Sequence, residues 1–152
     1  MRRIICIGNA FAGLDSAGAE VFGRLSRERL PEDVEVVDGG LRGIDLLGLV
    51  ERSERVVFVD SLSGWGPPGS VQVLDAVDLQ EAPAGAYEHA AGFVYLLRSL
   101  PYLVPRPVPV WVVGLEAPAS PAAVDEAARL ALAFASSPDP VRAQAVPAGQ
   151  GR

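Results

Sequence analysis

The stretch Ile4-Ile-Cys-Ile-Gly-Asn-Ala-Phe-Ala-Gly-Leu-Asp-Ser-Ala-Gly18 decides the fold of this chain. Its apolar start, Ile4 to Ile7, predicts a buried strand that ends at Gly8. A loop of small residues follows, and Asp15 stands where a helix is expected to begin. A strand, a glycine-containing turn and a helix start place polar groups at the carboxyl edge of a sheet, which is where open α/β folds bind their ligands.

The pattern of apolar residues beyond this stretch predicts alternating strands and helices. Strands are predicted over 4–7, 34–37, 56–59, 70–74 and 108–113, and helices over 15–30, 44–51, 87–100 and 121–135. The connection 61–69 is too short for a parallel crossover, so we expect the fourth strand to be antiparallel and at an edge. The predicted fold class is therefore α/β, a three-layer α/β/α sandwich around a five-stranded, mostly parallel sheet with one antiparallel edge strand.

Length and composition predict one domain. The chain has 152 residues, of which 49% are hydrophobic and 21% charged, as is typical of a globular protein. We assign the domain to residues 1–135 and expect a disordered tail over residues 136–152, which are rich in proline, alanine, glycine and glutamine. No apolar run is long enough to span a membrane, so no membrane insertion is expected.

Charge and cysteine content limit the partners and the compartment. The net charge of −6 argues against nucleic acid, which demands a basic surface. The single cysteine, Cys6, excludes an intramolecular disulfide, and its place inside the first strand predicts a buried, inert thiol. We expect a cytoplasmic monomer.

Four polar residues are expected near the carboxyl edge of the sheet. Asp15, Asp38 and Asp60 come at or just after the ends of the first three strands. His89, the only histidine, precedes a parallel strand by one helix, whose first turn should lie at the same edge. This topology brings His89 toward Asp60 and Asp15. One imidazole and two carboxylates suit a divalent transition metal. Each residue also has a structural explanation: Asp15 as a helix cap, Asp38 as a turn former before two glycines, and His89 as an ordinary residue at a helix start.

The ordered blocks of the chain resemble the hydrogenase maturation endopeptidases, which remove a C-terminal extension from the large subunit of nickel-iron hydrogenases. The resemblance extends to about Ala135. It is carried by these segments: Gly8-Asn9 with Asp15 and Gly18, Val37-Asp38-Gly39-Gly40, Val57-Phe-Val-Asp60 with Pro67-Pro68-Gly69, His89 with Gly92, Val112-Val-Gly-Leu-Glu116, and Ser120-Pro121.

The resemblance implies a metal-dependent, aspartic-type endopeptidase. Asp15, Asp60 and His89 match the family's metal-binding residues, and the metal they engage is thought to be nickel already installed in the precursor of the large subunit. Other divalent metals are expected to occupy the same residues. Asp15, Asp38 and Asp60 are the candidate catalytic residues. The attacking water could be activated by a metal that lowers its pKa or by a carboxylate base such as Asp38.

Two further hypotheses stay open on the sequence alone. The first is a non-catalytic, metal-dependent binding or chaperone module with a divergent partner, because Leu14, Ser16 and Leu41 depart from the family pattern. The second, a small-molecule hydrolase or a nucleotide-binding protein, is weakened by the lack of a phosphate-binding loop. The segment 61–69, with Trp65 at its middle, is a candidate for gripping the substrate tail or for covering the core.

Overall fold

The computed structural model describes residues 1–8, 16–40, 43–62, 66–75 and 91–137, and for residues 91–95 the backbone alone. The strands in this part of the chain are β1 (Arg2–Ile7), β2 (Val34–Gly40), β3 (Arg55–Leu62), β4 (Val71–Asp75) and β5 (Val110–Glu116). The helices are α1 (Ala17–Leu25), α2 (Leu47–Glu51, preceded by the 3-10 turn Ile44–Leu46), α3 (Ala91–Leu103) and α4 (Pro121–Ser136).

The five strands form one sheet in the order β2-β1-β3-β5-β4. The pairs β1–β2, β1–β3 and β3–β5 are parallel, and β4 pairs with β5 in the antiparallel sense. The prediction of a mostly parallel sheet with one antiparallel edge strand is confirmed. From β1 the chain moves outward to β2 and then returns to the other side of β1 at β3. The carboxyl ends of β1 and β3 therefore flank the topological switch point of the sheet, where such folds bind ligands.

Two apolar layers cover the sheet. Helices α1 and α4 pack on one face, where Val21 and Phe134 belong to a cluster that contains Ile4, Cys6 and Val59. Helices α2 and α3 pack on the other face, where their side chains join Ile5, Phe58 and Val112. Because side chains alternate along a strand, these two clusters show which face each strand residue takes. We call them the α1/α4 face and the α2/α3 face.

Three strands extend further toward the carboxyl edge than predicted. β2 reaches Gly40, β3 reaches Leu62 and β5 reaches Glu116. The ends of β3 and β5 extend because they pair with each other, with Ser61 opposite Leu115 and Leu62 opposite Glu116. This pairing between strands outweighs the strand propensity of the individual residues. Asp38 and Asp60 consequently lie within strands, which fixes the face that each side chain takes.

The helices lie where the sequence predicts them, but two of them end at other residues than predicted. α1 is predicted to reach Leu30 but ends at Leu25, because the backbone N–H groups of Arg27 and Glu28 donate three residues back, to Arg24 and Leu25, and tighten the chain into turns. α3 was expected to end before Pro101 but runs through it to Leu103, since a proline in the last turn removes a single N–H.

The start of α4 follows the sequence more closely. The side chain of Ser120 caps α4 as predicted, accepting from the backbone N–H of Ala123 at 3.1 Å. Residues 87–90 and the tail 138–152 lie outside the described residues. Among the described helices, none is long and apolar enough to cross a membrane.

Arginines hold the amino edge of the sheet together. Arg55, which is 9% exposed, donates to the carbonyls of Phe134 and Ser137 at the end of α4, and its guanidinium lies 5.6 Å from the ring centre of Trp111. Arg2 donates to the carbonyl of Ser136 at 2.9 Å. These bonds satisfy carbonyls that a helix end leaves without intrahelical partners, and they place positive charge at the negative end of the helix dipole.

Candidate active site

Asp60 is a buried acid at the carboxyl edge, with 1% of its surface exposed. It follows Phe58 and precedes Leu62 on the alternating pattern of β3, and both of these residues belong to the α2/α3 cluster. Its side chain therefore takes the α2/α3 face. Its Oδ1 accepts the backbone N–H of Ser61 at 2.8 Å. Burying a carboxylate costs free energy unless hydrogen-bond partners offset the loss of water. The bond from Ser61 therefore fixes the orientation of the Asp60 side chain.

One described helix near Asp60 begins at the same edge of the sheet. α3 leads into parallel strand β5, so α3 begins at the carboxyl edge, and Leu96 and Leu97 place it on the face that Asp60 takes. His89 lies outside the described residues and comes two positions before Ala91, the first residue of α3. The described start of α3 therefore lies at the edge and on the face that Asp60 takes, and the place of His89 stays a prediction.

Asp15 also lies outside the described residues, two positions before α1 begins. Helix α1 starts at the carboxyl edge of β1 and approaches it closely. A methyl group added to Gly18 would lie 1.8 Å from the carbonyl oxygen of Ile7, so only glycine permits this packing. Within the described part of the chain, no group of three or more histidine, cysteine, aspartate or glutamate side chains is placed to hold a metal ion.

Asp38 occupies a different position from Asp60, although both lie at the carboxyl edge. It is exposed, and its Oδ1 accepts the backbone N–H of Gly40 at 3.0 Å. Gly40 has a φ of 56°, a left-handed conformation that favours glycine. This is the turn-forming role expected of an aspartate before two glycines.

The two acids also take opposite faces of the sheet. Asp38 alternates with Val34 and Val36, which pack on the α1/α4 face, whereas Asp60 takes the α2/α3 face. β1 lies between their strands. Their side chains are therefore separated by about two strand spacings, roughly 10 Å, and by the thickness of the sheet. The structure does not bring Asp38 and Asp60 together, and one ion could not contact both at about 2 Å.

Cys6 lies on the α1/α4 face with 1% of its surface exposed. Burial raises the pKa of the Cys6 thiol well above its ordinary value, and the negative charge of Asp38 raises the pKa further. The thiol is therefore protonated near neutral pH and is a poor nucleophile, as its place in the first strand predicted.

Sequence reasoning missed a polar extension of the Asp60 face across the next two strands. Glu116 on β5, 3% exposed, and Gln72 on β4 follow the alternation of Val112 and Leu74, which belong to the α2/α3 cluster. Both therefore take the face of Asp60. The signal available in the sequence was this alternation, which becomes legible only once the strands are known to reach Glu116 and to start at Val71.

Gly114 lies between Asp60 and Gln72 in the register of the sheet. A methyl group added there would lie 2.0 Å from Cδ1 of Leu62, which shows that the Leu62 side chain lies across this glycine. Across the neighbouring strands β3, β5 and β4, which we call the Asp60 row, this face therefore carries the acid Asp60, then Gly114 covered by the apolar side chain of Leu62, and then the amide of Gln72.

An α/β sheet of this topology belongs to the open α/β class, which binds ligands at the carboxyl edge. Comparison with known proteins identifies the family. The model of the hydrogenase maturation protease family matches residues 19–127. The chain belongs to this family.

Two relatives agree with this assignment, and a solved structure shares the fold. The Escherichia coli hydrogenase 2 maturation protease is 26% identical over 118 residues, which cover 74% of this chain and 70% of that protein. A Methanocaldococcus jannaschii protein assigned as a hydrogenase maturation protease is 33% identical over 78 residues, and the match spans 50% of this chain and only 51% of the relative. The hydrogenase maturating endopeptidase HybD from E. coli shares the fold, with a TM-score of 0.69, 22% identity, and coverage of 88% of this chain and 89% of that one.

Proposed function

We propose that this protein is an endopeptidase that recognises nickel in the precursor of a hydrogenase large subunit and removes the C-terminal extension of that subunit. The observation that carries the proposal is the match of the hydrogenase maturation protease family to residues 19–127. The position of Asp60 beside the switch point is consistent with it, because open α/β sheets bind their ligands at that edge.

In this proposal the metal arrives with the substrate. Asp15, Asp60 and His89 are the residues that would contact it. Carboxylate and imidazole donors suit a divalent transition ion such as nickel. Asp60 is already held by the N–H of Ser61 and takes the face on which α3 begins, two residues after His89. A bound ion would supply positive charge that polarises the scissile carbonyl.

Asp38 is assigned a supporting role. Its bond to the N–H of Gly40 keeps the end of β2 in a left-handed turn, and Gly40 in turn accepts the backbone N–H of Gly8 at 2.8 Å. Gly8 is the last described residue before the segment that contains Asp15. We therefore propose that Asp38 holds the loop that follows β1, and that it does not act as the base.

The proposal is tested by incubating the protein with a hydrogenase large-subunit precursor in nickel-loaded and nickel-free forms. We expect the nickel-loaded precursor alone to gain mobility on a denaturing gel, with a mass change equal to the lost extension. Cleavage of both forms would contradict nickel recognition. Association with the loaded precursor without cleavage would instead establish the binding-module alternative.

The compartment and the oligomeric state belong to the same proposal. We propose a monomer that acts in the cytoplasm, consistent with a net charge of −6 and with a single, buried cysteine. Light scattering during size exclusion should give the mass of one 15.9 kDa chain, and a dimeric mass would refute the monomer.

A further inference from the structure

The strand β4 carries two polar side chains beside the Asp60 row. Gln72 is opposite Gly114, and Gly114 is opposite Asp60. Gln72 takes the same face as Asp60, because Leu74 two positions on belongs to the α2/α3 cluster while Val71 and Val73 pack on the other face. Asp60 and Gln72 thus point to the same side of the sheet, about two strand spacings or roughly 10 Å apart.

Gln72 and Ser70 are held in place from several sides. Nε2 of Gln72 lies 3.4 Å from Oγ of Ser70, and the Ser70 hydroxyl donates to the carbonyl of Pro67 at 2.6 Å. The backbone N–H of Glu116 donates to the carbonyl of Ser70 at 2.9 Å, which fixes Ser70 to the end of β5. Both side chains are only half-buried, so a ligand at this edge can reach them.

We propose that Gln72 and Ser70 form a subsite that binds main-chain amides of the C-terminal extension, about three residues beyond the bond that is cut. The inference rests on the proposed function and deepens it. A carboxamide carries both a donor and an acceptor, as a peptide group does, so Gln72 can pair with a passing main chain whatever its sequence. An extended chain advances about 3.3 Å per residue, and the roughly 10 Å from Asp60 to Gln72 is therefore about three residues.

The direction of the extension follows from the sheet. The β1 side of Asp60 is the switch point, and α1 begins there two residues after Asp15. The β5 and β4 side carries the partly exposed side chains of Gln72 and Ser70, whereas Leu62 is only 2% exposed, so the polypeptide would run along the carboxyl edge of the sheet to reach Gln72. Since both subsite residues are uncharged, this subsite contributes affinity for an extended main chain and no preference for charge.

The test compares the wild-type protein with Gln72→Ala on two nickel-loaded precursors, one with its whole extension and one with the extension cut to two residues. With the whole extension, we expect Gln72→Ala to raise KM about tenfold and to leave kcat within about twofold, as the loss of one or two neutral hydrogen bonds predicts. With the short extension, the wild-type KM should already be raised, and Gln72→Ala should change it no further.

Matched variants separate binding from folding. Asp75→Asn alters the exposed residue at the far end of the same strand and should leave both substrates unaffected. Gln72→Glu keeps the shape of the side chain and should also raise KM on the long substrate alone, which keeps the test available if the alanine variant does not fold. Equal effects on both substrates, or none, would overturn the subsite. If the wild-type protein cuts neither precursor, the proposed function itself fails.

Discussion

The amino and carboxyl edges of this sheet are built from different kinds of residue. At the amino edge, Arg2 and Arg55 reach across to the last carbonyls of α4, and Arg3 bonds Glu35 at 2.8 Å. At the carboxyl edge two acids, Asp60 of β3 and Glu116 of β5, are buried, and Gly114 lies beside Asp60. The contrast indicates that the amino edge serves stability, and it agrees with the proposal that the active site lies at the carboxyl edge.

The largest effect should come from the carboxyl edge. Asp60→Asn keeps an oxygen that can accept the N–H of Ser61 but removes the charge. We expect cleavage of the nickel-loaded precursor to slow by at least about 100-fold, the lower range for loss of a group that acts in the transition state. The melting temperature should change by less than about 3 °C, or about 1 kcal/mol in a domain of this size. Normal cleavage by this variant would remove Asp60 from the site.

At the amino edge the opposite result is expected. Arg55→Met removes the donors to the α4 carbonyls and the contact with Trp111 while keeping an apolar side chain. The free energy of unfolding should fall by about 2–3 kcal/mol, and kcat of the folded protein should be unchanged. Denaturant titration and cleavage rates measure the two quantities. Arg129→Met, which loses only an exposed ion pair with Glu126, is the control and should be silent. A large loss of kcat in Arg55→Met would break the division between the edges.

The buried thiol of Cys6, in the core between the two edges, should make the free energy of unfolding depend on pH. Burial raises the pKa of the folded thiol, so above about pH 8.5 the unfolded chain releases a proton that the folded chain retains. The contribution of the protonated Cys6 thiol to the free energy of unfolding is present below that pH. It is lost as pH rises further, at about 1.4 kcal/mol per pH unit. Denaturant titrations from pH 7 to 10 should show this slope in the wild-type protein and not in Cys6→Ala. None of the 13 basic residues is lysine, which leaves few other groups to titrate in this range.

The smallest effect is expected at Asp38. Asp38→Asn keeps an acceptor for the N–H of Gly40, whereas Asp38→Ala removes it. We expect Asn to preserve cleavage within about tenfold, and Ala to lower the free energy of unfolding by about 1 kcal/mol, the usual value of one such bond. If Asn abolished cleavage while the fold stayed intact, Asp38 would be a base after all and its role as a loop holder would be wrong.

The sequence allowed the sheet and its one antiparallel strand to be predicted because both follow from local pattern and connection length. β3 shows where such prediction ends. Its apolar run stops at Val59, so Asp60 looked like a loop residue with no defined face, and only pairing with β5 places it on the α2/α3 face. The separation of Asp38 from Asp60 was unpredictable for the same reason. Gly18 is similar, since its need to be glycine depends on the carbonyl of Ile7, which belongs to another element.

The antiparallel course of β4 has a consequence for how this family could change its substrates. Because β3 ends and β4 begins at the same edge, both ends of the connection between them lie near Asp60. The backbone N–H of Ala117 donates to the carbonyl of Leu62, and that of Glu116 donates to the carbonyl of Ser70, so the end of β5 holds both ends of the connection. Lengthening a loop costs little, about 0.6 kcal/mol for each doubling. Insertions between Leu62 and Gly69 can therefore remodel what reaches the site while the sheet, its register and the arginine-held edge stay as they are.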